Sequence, residues 1–114
     1  MEKIVTKEKL MVWVERDPIN TIGRALVAIF NNQLPQEQAS NNTVFKNGIG
    51  FTGADGRIGA LGAKYYLKHR TLEDWQLRIW LGLNSKGQPR IVKYAEQLNQ
   101  VALIKQSKSN YDMV

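Results

Sequence analysis

The sequence predicts an all-α protein, a compact bundle of four to five short helices around one core. Apolar residues recur at steps of three and four in most segments between residues 7 and 102, the spacing of one helix face. Capping residues and prolines stand just ahead of those stripes. The chain has 114 residues, 43% of them hydrophobic and 23% charged, which suits one core and one domain. The expected organisation is a single helical domain over residues 1–104 and a flexible polar tail over residues 105–114.

Thr6 ahead of Lys7-Glu8-Lys9 reads as an N-cap and first turn, and Leu10, Trp13, Val14 and Asp17 follow at helical spacing. The alternation of Leu10, Val12 and Val14 leaves a strand as the alternative over 7–16. Asp17-Pro18 is a cap followed by proline at the first helical position, and Ile19, Ile22, Leu26, Ile29 and Phe30 extend the stripe as far as Asn31-Asn32. Leu34 to Gln38 suits a short helical turn, and Asn41-Asn42-Thr43 a loop. A glycine-rich loop or small hairpin centred on Asn47-Gly48 is expected at about 44–53.

Asp55 is positioned to cap a third helix ending near His69, with Ile58, Leu61, Tyr65 and Tyr66 turned inward. Thr71-Leu72-Glu73-Asp74 resembles a capping box and opens a fourth helix with the stripe Leu72, Trp75, Ile79 and Leu83. Trp75 lies on that stripe, whereas Trp80 is offset from it. Trp13, Trp75 and Trp80 are all expected in the core. Asn84-Ser85-Lys86-Gly87 is a turn. Pro89 opens a fifth helix carrying Ile91, Tyr94, Ala95, Leu98, Val101 and Ala102 on one face.

Several functions lose support at once. With no cysteine there is no disulfide scaffold, thiolate metal site or thiol nucleophile. His69 is the only histidine and no carboxylates cluster with it, so neither a metal site nor a cofactor is expected. No Ser–His–Asp set or carboxylate pair stands out, and the expectation is a protein without catalytic residues. An enzyme would need a pocket lined by Asp55, Gln76 and Gln97. No apolar run approaches the ~18–20 residues that span a bilayer, and MEKIVTKEKL is no signal peptide, which together suggest a cytoplasmic protein with no membrane partner.

The charge is one-sided. Lys and Arg number 16 against 10 Asp and Glu, a net charge of +6. Residues 1–56 hold six of each sign, and residues 57–114 hold ten basic and four acidic side chains, so the second half carries the whole excess. Arg57, Lys64 and Lys68 share a face of the third helix. Arg90, Lys93 and Gln97 repeat the spacing on the fifth, with Lys86 just ahead and Arg78 on the fourth. Such rows track phosphates while amide side chains reach bases or sugars; they also form the solvated outer face that every amphipathic helix needs. A helix-turn-helix is disfavoured, because about seven residues separate helices four and five where about 3–4 are usual.

Gly48-Ile49-Gly50-Phe51-Thr52-Gly53 spells G-x-G-x-x-G, but no strand precedes it and no βαβ pattern follows, so it is read as loop. Gly56, Gly59, Ala60, Gly62 and Ala63 give the third helix a smooth face. Glycine inside a helix costs about 0.5–1 kcal/mol relative to alanine, so this face implies close backbone approach by another helix, a partner or a phosphate backbone. A homodimer through Gly56, Gly59 and Ala63 is one form of that expectation.

The order of elements resembles a small domain that recurs in proteins of phages, prophages and plasmids. The shared pattern is the Gln33 to Gln38 segment, Asn47-Gly48-Ile49-Gly50-Phe51, an Asp opening a helix (Asp55), Leu72 with Gln76, and Lys93-Tyr94-Ala95-Glu96-Gln97-Leu98. The resemblance covers about residues 19–102 and rests on structural residues. It departs from that pattern at Leu34-Pro35, where relatives commonly have Thr, and in its glycine-rich third helix. The resemblance implies a nucleic-acid context by association and carries over no catalytic residue. Two expectations follow: a nucleic-acid-binding accessory protein, with DNA ahead of RNA, or a phage-type inhibitor that binds a host defence or replication protein.

Overall fold

The computed structural model describes residues 3–32 and 50–112, with side chains as far as residue 106. Among them the chain forms five α-helices: α1 (Lys7–Arg16), α2 (Pro18–Asn31), α3 (Gly56–His69), α4 (Asp74–Leu81) and α5 (Ala95–Asp112). Two 3-10 turns, Gly53–Asp55 and Arg90–Tyr94, lead into α3 and α5. No strand occurs among the described residues, only an isolated bridge between Leu83 and Pro89. The fold is the all-α bundle that the periodicity predicts. The turn expected at 34–38, the loop at 41–43 and most of the 44–53 segment, Asn47 and Gly48 included, lie outside the described residues.

Local caps decide the first two helices. Thr6 Oγ1 accepts from the Lys9 amide at 3.1 Å, which resolves 7–16 as helix rather than strand. Asp17 serves both neighbours: its N–H closes α1 on the Trp13 carbonyl at 2.9 Å, and its carboxylate accepts from the Asn20 amide at 3.3 Å with Pro18 in the first turn of α2. A single residue therefore makes the corner between them.

α2 is the hub. The helix touches all four others, and Arg24 is its one charged residue. Ile22, Leu26 and Ile29 are fully buried along it. α3 lies closest, and small residues set the distance. A Cβ at Gly59 would stand 2.5 Å from the Phe51 ring and one at Gly62 would stand 2.7 Å from Leu26 Cδ1; Gly23 of α2 lies under the Tyr66 ring. The buried face of α3 is thus Gly59, Ala60, Gly62, Ala63 and Tyr66. This corrects the expected inward set: Leu61 is exposed, and Ile58 and Tyr65 are only half-buried. Large side chains on the contact face would hold the two backbones apart, so the stripe of small residues is the one that packs. The Gly56, Gly59 and Ala63 face is spent inside the chain and offers no homodimer surface.

The fourth helix corrects a second expectation. It begins at Asp74, where Gln76 Oε1 accepts from the Glu73 amide at 3.0 Å, so the capping pair is Glu73 and Gln76 and not Thr71 and Asp74. The inward positions become Leu72, Gln76 and Trp80. Trp75 is 45% and Leu83 70% exposed, against the predicted stripe, whereas Trp80 is 1% exposed, in the core as expected. Trp13 also faces solvent in part. Trp80 packs among Phe51, at 5.9 Å between ring centroids, and Tyr94, at 6.4 Å.

After α4 the predicted turn forms around Asn84, whose Oδ1 accepts from the amides of Lys86 and Gln88 at 2.9 and 3.1 Å. Gly87 has φ +75, which glycine adopts without strain. Ile91, Tyr94, Ala95 and Leu98 then enter the core as predicted, joined by Val92, while Val101 and Ala102 are half-buried; α5 continues to Asp112, beyond the expected boundary at 104. The start of the chain is tied back by buried Asn99, whose Oδ1 accepts from the amides of Ile4 and Val5.

Candidate nucleic-acid interface

The densest polar cluster lies where the 3-10 turn before α3 meets the one before α5. Asp55, expected to cap α3, makes no side-chain cap bond and is fully buried instead. Burying a carboxylate costs several kcal/mol unless cations and donors surround it. Here Lys93 Nζ sits 2.6 Å from Oδ2, the Tyr94 hydroxyl donates to Oδ2 at 2.6 Å, and an Arg90 guanidinium nitrogen lies 3.7 Å from Oδ1. Oδ1 makes no hydrogen bond among the described residues. Position helps as well, because the N-terminus of α3 starts at the next residue and its dipole favours negative charge.

Tyr94 also accepts from the Thr52 amide at 3.1 Å, and its ring stands edge-on to Phe51 at 5.8 Å. Burial, reinforced by donation to Asp55, pushes the Tyr94 hydroxyl well above the usual tyrosine value of 10.0. The phenol therefore stays protonated as a donor. One turn further on, Gln97 Oε1 accepts from the Gly50 amide at 2.7 Å and from Asn32 Nδ2 at 3.0 Å, and its Nε2 donates to the Gly50 carbonyl at 3.0 Å. Gly50 itself has φ +85. The side chains of Lys93, Tyr94 and Gln97 thus clamp residues 50–55 through the Gly50 and Thr52 backbone and the Asp55 carboxylate. Asp55 Oδ2, the Tyr94 hydroxyl and the Gln97 amide are all engaged with neighbouring side chains or backbone, an arrangement suited to holding parts in place.

These contacts divide the sequence-predicted site residues. Arg57, Lys64 and Lys68 are exposed on α3. With Leu61 they form one line at steps of four, three and four, on the side away from Gly59, Ala63 and Tyr66, and span about 16 Å of helix. α3 contains no Asp or Glu. The Lys64 ammonium lies 5.7 Å from the Phe30 ring centroid. Arg90 and Lys93 converge on Asp55 with side chains 42% and 38% exposed, so the two cations border the start of this row while one buried carboxylate offsets part of their charge. Gln97 is committed to Gly50 and Asn32, and Gln76 to the α4 cap. Arg78 and Lys86 are exposed on α4 and in the Asn84 turn, on elements separate from the α3 row. Phe51 and Leu98 are core, as their place in the motif implied. His69 ends α3 with its ring 4.4 Å from that of Tyr65.

Sequence reasoning missed the Asp55–Lys93–Tyr94 contact. One signal was present: a tyrosine on the inner face of a helix needs a partner for its hydroxyl. Nothing local named Asp55 as that partner, because an Asp before a helix reads as a cap.

Fold and site together describe a small helical domain with a glycine-packed core and one helix whose outer face carries a row of cations and no acid. No protein-family model, curated protein or solved structure matches this chain.

Proposed function

We propose that the protein is a non-enzymatic nucleic-acid-binding accessory factor of a phage or other mobile element, gripping phosphates with Arg57, Lys64 and Lys68 of α3. Arg90 and Lys93 extend the row at its start. The observation that carries this reading is the exposed, acid-free line on α3 set opposite its glycine face. Close packing of the inner face fixes the helix rigidly, and the outer cations are then presented at fixed spacing. Phosphate contacts of this kind give register and affinity with little base preference, so DNA binding with weak sequence dependence is the expected behaviour. The motif resemblance supports the mobile-element setting. No described helix is long and apolar enough to cross a membrane.

The test is fluorescence anisotropy with short labelled DNA duplexes and single strands at low salt. Wild-type protein binds, and the Arg57→Gln/Lys64→Gln/Lys68→Gln variant loses at least about tenfold in affinity, or 1.4 kcal/mol. Arg78→Gln/Lys86→Gln changes affinity less. Absence of binding to DNA and RNA alike, or equal binding by the triple variant, contradicts the proposal.

A further inference from the structure

A groove of about 360 Å³ lies between α1, α2 and α5, and no residue of the Asp55 cluster or the α3 row lines it. It exists because α2 and α5 meet there across small side chains: Ala25 and Ala28 from one, Val101 and Ala102 from the other, beside buried Leu10 and Leu98. Its volume falls in the range of ~300–1,000 Å³ typical of small-molecule sites. A docked helix about 10 Å across would fill more than twice that volume over the roughly 12 Å of α2, Asn20 to Ala28, that lines the groove.

The charges in the lining are unbalanced. Arg24 and Lys105 are exposed and are ion-paired with no described residue. The carboxylate in the lining, Asp17, already accepts from the Asn20 amide and from Asn20 Nδ2, at 3.3 and 2.9 Å. An apolar floor with unpaired cations at its edge complements one ligand class, an aliphatic chain ending in an anion. We infer that this groove binds a medium-chain carboxylate, its chain along the alanines and its head group against Arg24 and Lys105. Trp13 lines the same groove and is the natural reporter.

The experiment titrates the full chain with dodecanoate below its micellar concentration, following tryptophan fluorescence and binding heat, with dodecanol and butyrate as controls. Dodecanoate binds, and each control binds at least about tenfold more weakly, since each lacks either the charge or the apolar chain. Ala28→Trp fills the groove and abolishes binding. Arg24→Gln/Lys105→Gln, two surface changes that leave the core intact, weakens dodecanoate about tenfold and leaves dodecanol unchanged. Trp13→Phe removes the fluorescence response while the binding heat persists. No dodecanoate binding by folded wild-type protein overturns the inference, as does equal binding of dodecanol or indifference to both groove variants. Self-association that Ala28→Trp abolishes, in the absence of dodecanoate binding, identifies a second copy as the occupant and also overturns it.

Discussion

Asp55 makes the arrangement at the start of α3 possible and also makes it fragile. Its carboxylate is buried, whereas Lys93 and Arg90 keep much of their side chains in water. Removing a cation therefore strands a buried charge, while removing the carboxylate lets the cations rehydrate. Lys93→Met should destabilise the fold by about 1–3 kcal/mol, at or below the range for broken buried pairs because Lys93 is partly solvated. Asp55→Asn/Lys93→Met should cost at least about 1 kcal/mol less than the two single changes summed, as read from urea unfolding. Strict additivity would mean that the contact carries no energy. Tyr94 gives a pH signature with a definite sign. Its folded pKa is raised, so its contribution is fully present below the ordinary value of 10.0 and is lost as pH rises above it. Stability should fall above pH 10.0 with a Tyr94 share of up to about 1.4 kcal/mol per pH unit, and Tyr94→Phe should have a shallower alkaline slope. Equal slopes for the two proteins would contradict the buried hydrogen-bonded phenol.

Helices define the next scale, and α3 is the one whose composition looks least helical and matters most. Its glycines are a penalty locally and a requirement tertiarily. Gly59→Ala gains about 0.5–1 kcal/mol of helix propensity but puts a methyl 2.5 Å from the Phe51 ring, so the net change should be a loss of about 1–3 kcal/mol. Gly53 has nothing within 4 Å of its missing Cβ, and Gly53→Ala should be neutral or gain up to about 1 kcal/mol. Thermal melts of the two variants check both signs. At this scale the sequence was most informative wherever the cause is local. Thr6 and Asp17-Pro18 announce their helices because a cap bonds within three residues. The Asn84 turn is legible for the same reason. The inward face of α4 was not, since the cap falls at Glu73 and not Thr71, and Gln76 and Trp80 then face inward with Trp75 outward. Small residues likewise hide a packing face from any argument based on apolar stripes, which is why Leu61 stood for the core that Gly62 and Ala63 occupy. The candidate site divides the same way. Spacing alone placed Arg57, Lys64 and Lys68 on one face, whereas the partner of Tyr94 lies 39 positions away, beyond the reach of local pattern.

Charge distribution belongs to the whole molecule. The net +6 comes from residues 57–114, and the fold sorts that excess further. Part of it is turned inward at Lys93 and Arg90, part stands in a line on α3, and Arg78, Lys86 and Lys105 are spread over other elements. A packed α2–α3 pair with a smooth inner face and a basic outer face acts as a rigid bar, while the apolar groove by α1 and α5 lies apart from it. The central claim is that the α3 row meets phosphates, and counterion release measures that contact count. Each neutralised phosphate contributes about −0.9 to the slope of log Kobs against log salt for duplex DNA. The account predicts a wild-type slope of about −4.5 between about 50 and 200 mM salt, falling to about −2 when Arg57, Lys64 and Lys68 are all changed to Gln. A flat wild-type response, or a slope that the triple change leaves untouched, would contradict it.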